Sequence, residues 1–236
     1  MQEQVEQYLT KGFCAYESVL SASEQDQIRR ALDGYCQAKN GTTEGFGVAI
    51  HPLLAQIPEL APFLAHPLIV DTLAAVLQDD VHLVHAGARV SNEASYPRLH
   101  WHQHYGWDES EVPGRPRPTR ALAGFYVDGT SDESGPLIIL PRRFDEPIGP
   151  MRGGEFEAWP GEVEINLAPG SISIFDTTLW HAAKTGTKPG LRRLFGAHFQ
   201  GWSNPRPHIE DNPCNVPEIE EYKHREPRLR ALVERV

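Results

Sequence analysis

Hydrophobic positions in the first third of the chain recur with a helical period. Ile28, Leu32 and Tyr35 follow Ser21-Ala22-Ser23-Glu24, a capping-box pattern in which a hydroxyl and a carboxylate satisfy open backbone donors of a first turn. Ile69, Leu73, Val76 and Leu77 form a second apolar stripe behind Pro67, a residue suited to the first helical position. Both stripes predict helices that pack one face against a sheet. Beyond about residue 80 the period changes to that of strands. Runs over 81–90, 99–105, 121–127, 137–140, 163–167, 171–175 and 194–199 are separated by turn residues such as Asp128-Gly129, Ser134-Gly135-Pro136 and Pro169-Gly170. Many short strands with little helix between them predict a mainly β protein with flanking helices, an antiparallel sandwich or jelly roll. The expected layout is one domain over 1–236. It has a mainly helical flank over 1–80, a jelly-roll core over 81–203, and an irregular C-terminal wrap over 204–236 ending in a short helix near 228–236.

Composition narrows this picture only modestly. A chain of 236 residues, 40% hydrophobic, can bury a sizeable core, and 20 glycines with 20 prolines favour strands and turns over a helical bundle. The net charge of −10 argues against a nucleic-acid or anionic-membrane partner, since both need clustered cations. The basic stretch Arg115-Pro116-Arg117-Pro118-Thr119-Arg120 reads as a stiff solvated loop. Cys14, Cys36 and Cys214 are odd in number and form no Cys-x-x-Cys pair, which disfavours a disulfide framework or a structural zinc site. The N-terminus is polar and acidic, and no apolar run is long enough to cross a bilayer. The expectation is a cytoplasmic protein.

The chemistry concentrates in Leu99-His100-Trp101-His102-Gln103-His104-Tyr105-Gly106-Trp107, read together with Trp180-His181 and Arg192-Arg193 downstream. On an extended strand His100, His102 and His104 share one face, and Trp101, Gln103 and Tyr105 the other. Two imidazoles two residues apart, joined by a third from a distant strand, can supply three adjacent ligands to a metal and leave positions open for chemistry. Arg89 and Arg98 flank the run and could reach an acidic ligand, although solvated surface is the simpler reading of Arg98. Trp101, Trp107, Tyr105, Phe125 and Tyr126 could line a substrate cavity, but aromatics at strand spacing are commonly core. His100 is left open between a group that orients a ligand, a substrate contact and a plain strand residue.

Over nearly its whole length the chain resembles the phytanoyl-CoA dioxygenase family of iron(II)- and 2-oxoglutarate-dependent oxygenases. The resemblance rests on several segments in order. Tyr8-Leu9-Thr10-Lys11-Gly12-Phe13 stands before a capped helix, and Trp101-His102-Gln103 matches a Trp-His-Gln-Asp signature up to its last residue. Ser134-Gly135-Pro136-Leu137 leads to Leu140-Pro141, with Arg142-Arg143 in place of the usual glycine and serine. Pro169-Gly170-Ser171 through Trp180-His181 resembles the strand pair bearing the distal histidine, and Gly190-Leu191-Arg192-Arg193 follows. The resemblance implies a double-stranded β-helix (jelly roll, cupin-like). It implies one iron(II) held by His102 and His181, with His104 in the carboxylate position. It also implies 2-oxoglutarate as co-substrate, O2, and a small-molecule substrate. Arg192, eleven residues after His181, is the expected anchor of the co-substrate's far carboxylate, with Arg193 second because it points to the opposite strand face. His100, Arg89, Tyr105, Trp107 and Tyr126 would then serve substrate binding or support of the ligands.

Two departures leave alternatives open. Histidine at 104 leaves one more positive charge on the metal and its ligands than the usual carboxylate would, and it fills the space a halide would need. Three-histidine sets also fit iron dioxygenases that use no 2-oxoglutarate, and catalytic or structural zinc. Ala183 replaces a serine or glycine beyond the distal histidine, and Asp108 fits poorly as a replacement carboxylate ligand.

Overall fold

The computed structural model describes residues 1–39, 48–92, 99–104, 118–188, 191–204 and 214–235. Among these residues ten strands form two antiparallel sheets. The larger has the order β1 (Phe13–Tyr16), β8 (Ser171–Asp176), β5 (Arg120–Tyr126), β10 (Leu191–Gly201), β3 (Val81–Asn92) and β2 (Val48–Ile50). The smaller has the order β4 (Leu99–His102), β9 (His181–Ala183), β6 (Leu137–Ile139) and β7 (Val163–Ile165). Neighbours in space lie far apart in sequence, as in a jelly roll rather than a meander. The mainly β class with flanking helices is therefore observed.

The helices form where local chemistry favours them. In α2 (Ala22–Ala38) the Ser21 side chain accepts from the Glu24 amide at 3.3 Å, while the Ser21 amide donates to Glu24 at 2.8 Å. α5 (Pro67–Leu77) starts on proline, and its N-cap is His66, whose Nδ1 accepts the Leu68 amide at 3.2 Å. α1 (Gln2–Lys11) stops at Gly12, where φ is +80°. α1, α3 (Leu53–Gln56) and α4 (Ala61–Leu64) went unpredicted; the last two are single turns, too short for a period to show. The flank over 1–80 is mainly helical and also contributes β1 and β2 to the larger sheet. The C-terminal wrap carries two helices, Glu220–Arg225 and Pro227–Val233, where one was expected. Among the described residues no single helix is long and apolar enough to cross a membrane.

Three apolar layers fix the sheets. One face of the larger sheet buries Phe125, Ile172, Ile174, Phe195 and Phe199 against Ile28, Leu32, Ile69 and Leu73 of the helices. Between the sheets, Phe13, Tyr126, Leu137, Ile139, Phe175 and Leu179 pack together. Outside the smaller sheet, Trp101 stacks on Trp159 with centroids 4.5 Å apart, backed by Ile138 and Ala182. Each fully buried Leu or Ile contributes about 1.5–3 kcal/mol before entropy is counted. The site lies at the open part of the inter-sheet layer, where the middle cluster stops.

Candidate functional site

Pairing of β4 with β9 sets His102 directly opposite His181, and their rings lie 4.1 Å apart. His104 arrives differently from the expectation. β4 ends at His102 after a register irregularity, so strand alternation does not carry His104 inward. Its amide donates to the Thr177 carbonyl at 2.9 Å, and the neighbouring Gln103 Nε2 donates to the Thr178 carbonyl at 2.5 Å. These two bonds fold the chain back onto the turn before β9. The ligand atoms of His102, His104 and His181 consequently lie within 4.8 Å of one another. Small ring rotations bring such a set to metal-bonding distance, about 2.0–2.1 Å per imidazole nitrogen.

The turn carrying Thr177 and Thr178 is itself pinned. Buried Asp176 accepts from the Thr178 amide at 2.8 Å and its hydroxyl at 2.6 Å, and Arg142 Nη2 donates to that hydroxyl at 2.6 Å. Arg142, which interrupts the family's Pro-Gly-Ser pattern, also donates to the carbonyls of Arg143 and Glu146, tying the following loop to this turn.

Two of the three imidazoles are oriented for metal. His102 Nδ1 lies 2.9 Å from the His100 carbonyl, and His181 Nδ1 lies 3.0 Å from the Leu179 carbonyl. A carbonyl can only accept, so Nδ1 carries the proton and Nε2 presents its lone pair. Burial lowers the pKa of both below the ordinary histidine value. For His181 the drop is deep, and the neighbouring His102 and His104 add to it. Both are neutral near pH 7, the form a metal binds.

The triad opens onto a cavity of about 240 Å³. At one end stands Arg192, 8% exposed, with its guanidinium 5.8 Å from the Tyr126 ring centroid. Among the described residues it forms no ion pair. Arg193 lies on the opposite face of β10, as alternation requires, and binds Asp33 through Nε at 2.8 Å and Nη2 at 2.9 Å, and Asp128 through Nη1 at 2.9 Å. Although burial works to lower its pKa, these hydrogen bonds raise it overall. Its expected second rank as co-substrate ligand is corrected: it ties β10 to α2. Arg29 of α2 reaches the same Asp128 at 2.9 Å.

Arg89 and Tyr126 line the cavity, as the sequence suggested. His100 does not: it is exposed, beside Phe156, with its ring 5.3 Å from that of His102 and its backbone carbonyl against His102 Nδ1. Trp101 and Phe125 are buried in apolar layers away from the cavity. Tyr105, Trp107, Asp108 and Arg98 lie outside the described residues. Sequence reasoning missed three cavity-lining histidines, His51, His85 and His198. Strand parity marks two of them, since His85 is in phase with Arg89 on β3 and His198 with Arg192 on β10.

Residues 8–194 match the model of the family described as Phytanoyl-CoA dioxygenase (PhyH). No protein of curated function matches the sequence closely enough to count as a relative. Among solved structures, HygX from Streptomyces hygroscopicus with nickel and 2-oxoglutarate bound is similar at TM-score 0.73 and 14% identity, covering 93% of this chain and 94% of that one. EctD from S. alaskensis with 2-oxoglutarate and 5-hydroxyectoine gives 0.69 and 18%, covering 86% and 77%. The non-heme alpha ketoglutarate dependent carbocyclase SnoK from nogalamycin biosynthesis gives 0.67 and 17%, covering 85% and 84%. At these identities the likeness is one of fold.

Proposed function

The chain belongs to the phytanoyl-CoA dioxygenase family, and on that premise we propose that His102, His104 and His181 hold its iron(II) while Arg192 anchors 2-oxoglutarate. It is a non-haem iron(II)- and 2-oxoglutarate-dependent oxygenase acting on a small molecule. The observation that carries the site assignment is Arg192. A buried guanidinium without a carboxylate partner among the described residues is costly unless an anion completes it. The far carboxylate of a keto acid reaching from the triad would do so, and a guanidinium fork suits it.

The chemistry supplied by bound iron(II) is activation of dioxygen, coupled to oxidative decarboxylation of 2-oxoglutarate to succinate. The protein's own share is binding, aim and exclusion. His102 and His181 present Nε2 because backbone carbonyls hold their Nδ1 protons. Gln103 and the His104 amide hold the third ligand against the pinned turn. Leu122, Leu137 and Phe175 make the cavity walls near the triad apolar, which limits water around the reacting carbon. Cys14, Cys36 and Cys214 form no disulfide among the described residues, which supports a reducing cytoplasm as the place of work.

Anaerobic titration of the iron(II)-loaded protein with 2-oxoglutarate tests the assignment. The expected result is the weak visible charge-transfer band of a chelated keto acid, with succinate release once oxygen and substrate are added. Stoichiometric iron without such a band would refute it. The second reading, a three-histidine dioxygenase that binds its substrate directly, is favoured by His104 in the ligand cluster. It would then have to show oxygen consumption without succinate.

A further inference from the structure

Resting on the proposed ligand set, we infer that Arg142 is a positioning residue of the metal site, acting on His104 through the turn over 176–179. Four successive residues of that turn each hold a ligand or its support. The Asp176 carboxylate fixes Thr178 by its amide and its hydroxyl. The Thr177 carbonyl accepts the His104 amide at 2.9 Å, and the Thr178 carbonyl accepts Gln103 Nε2. The Leu179 carbonyl faces His181 Nδ1 at 3.0 Å. The Leu179 amide closes the turn by donating to the Asp176 carbonyl at 2.9 Å. One short segment therefore aligns two of the three imidazoles.

Those two imidazoles depend on the turn unequally. His181 belongs to β9, where pairing with His102 on one side and Ile139 on the other holds its backbone. His104 lies beyond the end of β4, so its place follows the turn. Arg142 fixes the turn from behind. A guanidinium only donates and an ionised carboxylate only accepts. The Thr178 hydroxyl therefore takes a hydrogen from Arg142 Nη2 at 2.6 Å and gives its own to buried Asp176 at 2.6 Å. Thr178 cannot swing away without breaking a charge-assisted bond. The other arm, Nη1, donates to the carbonyls of Arg143 at 3.0 Å and Glu146 at 2.5 Å, which anchors Arg142 itself. Its amide donates to the Lys11 carbonyl at 3.1 Å, at the end of α1. There the Gly12 carbonyl accepts the Asp176 amide at 2.8 Å, and a Cβ on Gly12 would strike Leu179 at 2.7 Å and the Arg142 carbonyl at 3.0 Å. The end of α1 thus backs both Arg142 and the turn. Arg143, the next residue, is exposed and pairs with Asp145 at 3.1 Å instead.

Cobalt(II)-loaded protein tests this without turnover: chelator competition gives the metal affinity, and the visible d–d band reports the ligand set. Arg142→Ala should weaken cobalt binding about tenfold and move the band towards that of His104→Ala, while Arg143→Ala should do neither. In a His104→Ala background, Arg142→Ala should have less than about a twofold further effect, because the ligand it positions is gone. Thr178→Val keeps the side chain's shape and removes the joining hydroxyl. It should repeat both results, and it carries the test if Arg142→Ala does not fold. Unchanged cobalt affinity, or an equal loss with and without His104 as a general brace of the fold would give, would overturn the inference and leave the ligand reading standing. If His104→Ala bound cobalt as tightly as wild type, the ligand reading would fall first, and the inference with it.

Discussion

Arg192 and Arg193 are adjacent on one strand with their side chains on opposite faces, and under the proposed assignment replacing each by alanine should produce opposite phenotypes. Arg192 is 8% exposed, faces the cavity and has only the Tyr126 ring against its guanidinium among the described residues. Removing one partner from a buried ion pair costs about 3–5 kcal/mol. Loss of the Arg192 fork should therefore raise the dissociation constant of 2-oxoglutarate by roughly 150- to 5,000-fold. The ligand-free protein should lose no stability, because the deleted cation has no anion partner among the described residues. Arg193→Ala removes three hydrogen bonds and strands Asp33 and Asp128, whose side chains are 33% and 18% exposed. Asp128 keeps Arg29, and both acids retain access to water, so the cost is about 2 kcal/mol, or roughly 4–8 °C in Tm for a chain of this size. Its 2-oxoglutarate affinity should stay within about threefold of wild type, a change near 0.6 kcal/mol. Calorimetric melting of the ligand-free variants and anaerobic keto-acid titration of the iron(II) forms read both effects. A large affinity loss in Arg193→Ala, or an unchanged affinity in Arg192→Ala, would refute the assignment of faces.

Three further outcomes follow from the geometry. Gln103→Ala deletes the hold on the Thr178 carbonyl and should weaken iron(II) binding about 10–100-fold, measured by competition with a chelator; unchanged affinity would mean the Thr177 bond alone seats His104. Trp101→Ala empties the stack on Trp159 and the bond to the Glu157 carbonyl, and should cost about 3–5 kcal/mol in urea unfolding. Burial holds His66, His102 and His181 below the ordinary value of 6.5, so the unfolded chain binds more protons than the folded one just below that pH. Stability of the chelator-treated protein should therefore be full above pH 6.5 and fall as pH drops below it towards the lowered folded values. A urea midpoint that stays flat between pH 7 and pH 5 would contradict those shifts.

Much of this was legible in the sequence because it is periodic or local. The capping box at Ser21, the proline start at 67 and the strand runs all express preferences acting over a few residues. The association of His102 with His181 followed from the family resemblance that the ordered motifs carry. What could not be read was the route by which His104 reaches them. A strand continued to 105 would have carried His100 to the same face, whereas the real strand stops at His102 and long-range bonds to Thr177 and Thr178 take over. That Arg192 and Arg193 take opposite faces was readable from parity, but the partners that claim Arg193 lie on α2 and after β5, more than sixty residues away. His51 gave no signal at all. It reaches the cavity only because a glycine on the next strand, β3, has no side chain.

The same absence of side chains recurs across the cavity floor. Gly87, Gly196 and Gly124 are direct neighbours on β3, β10 and β5, and all three line the cavity. A Cβ on Gly196 would strike the Ala123 carbonyl, and one on Gly124 would press on Leu194 at 3.2 Å. A floor of hydrogen-bonded peptide groups cannot repack around a smaller guest as rotamers can. A molecule that fails to reach the floor leaves room for water beside the reacting centre. For an oxygenase, such a mismatch would appear in stoichiometry before affinity: succinate would form in excess over oxidised product. The ratio of the two is thus a gauge of fit, and it would rank candidate substrates by shape even where all of them bind.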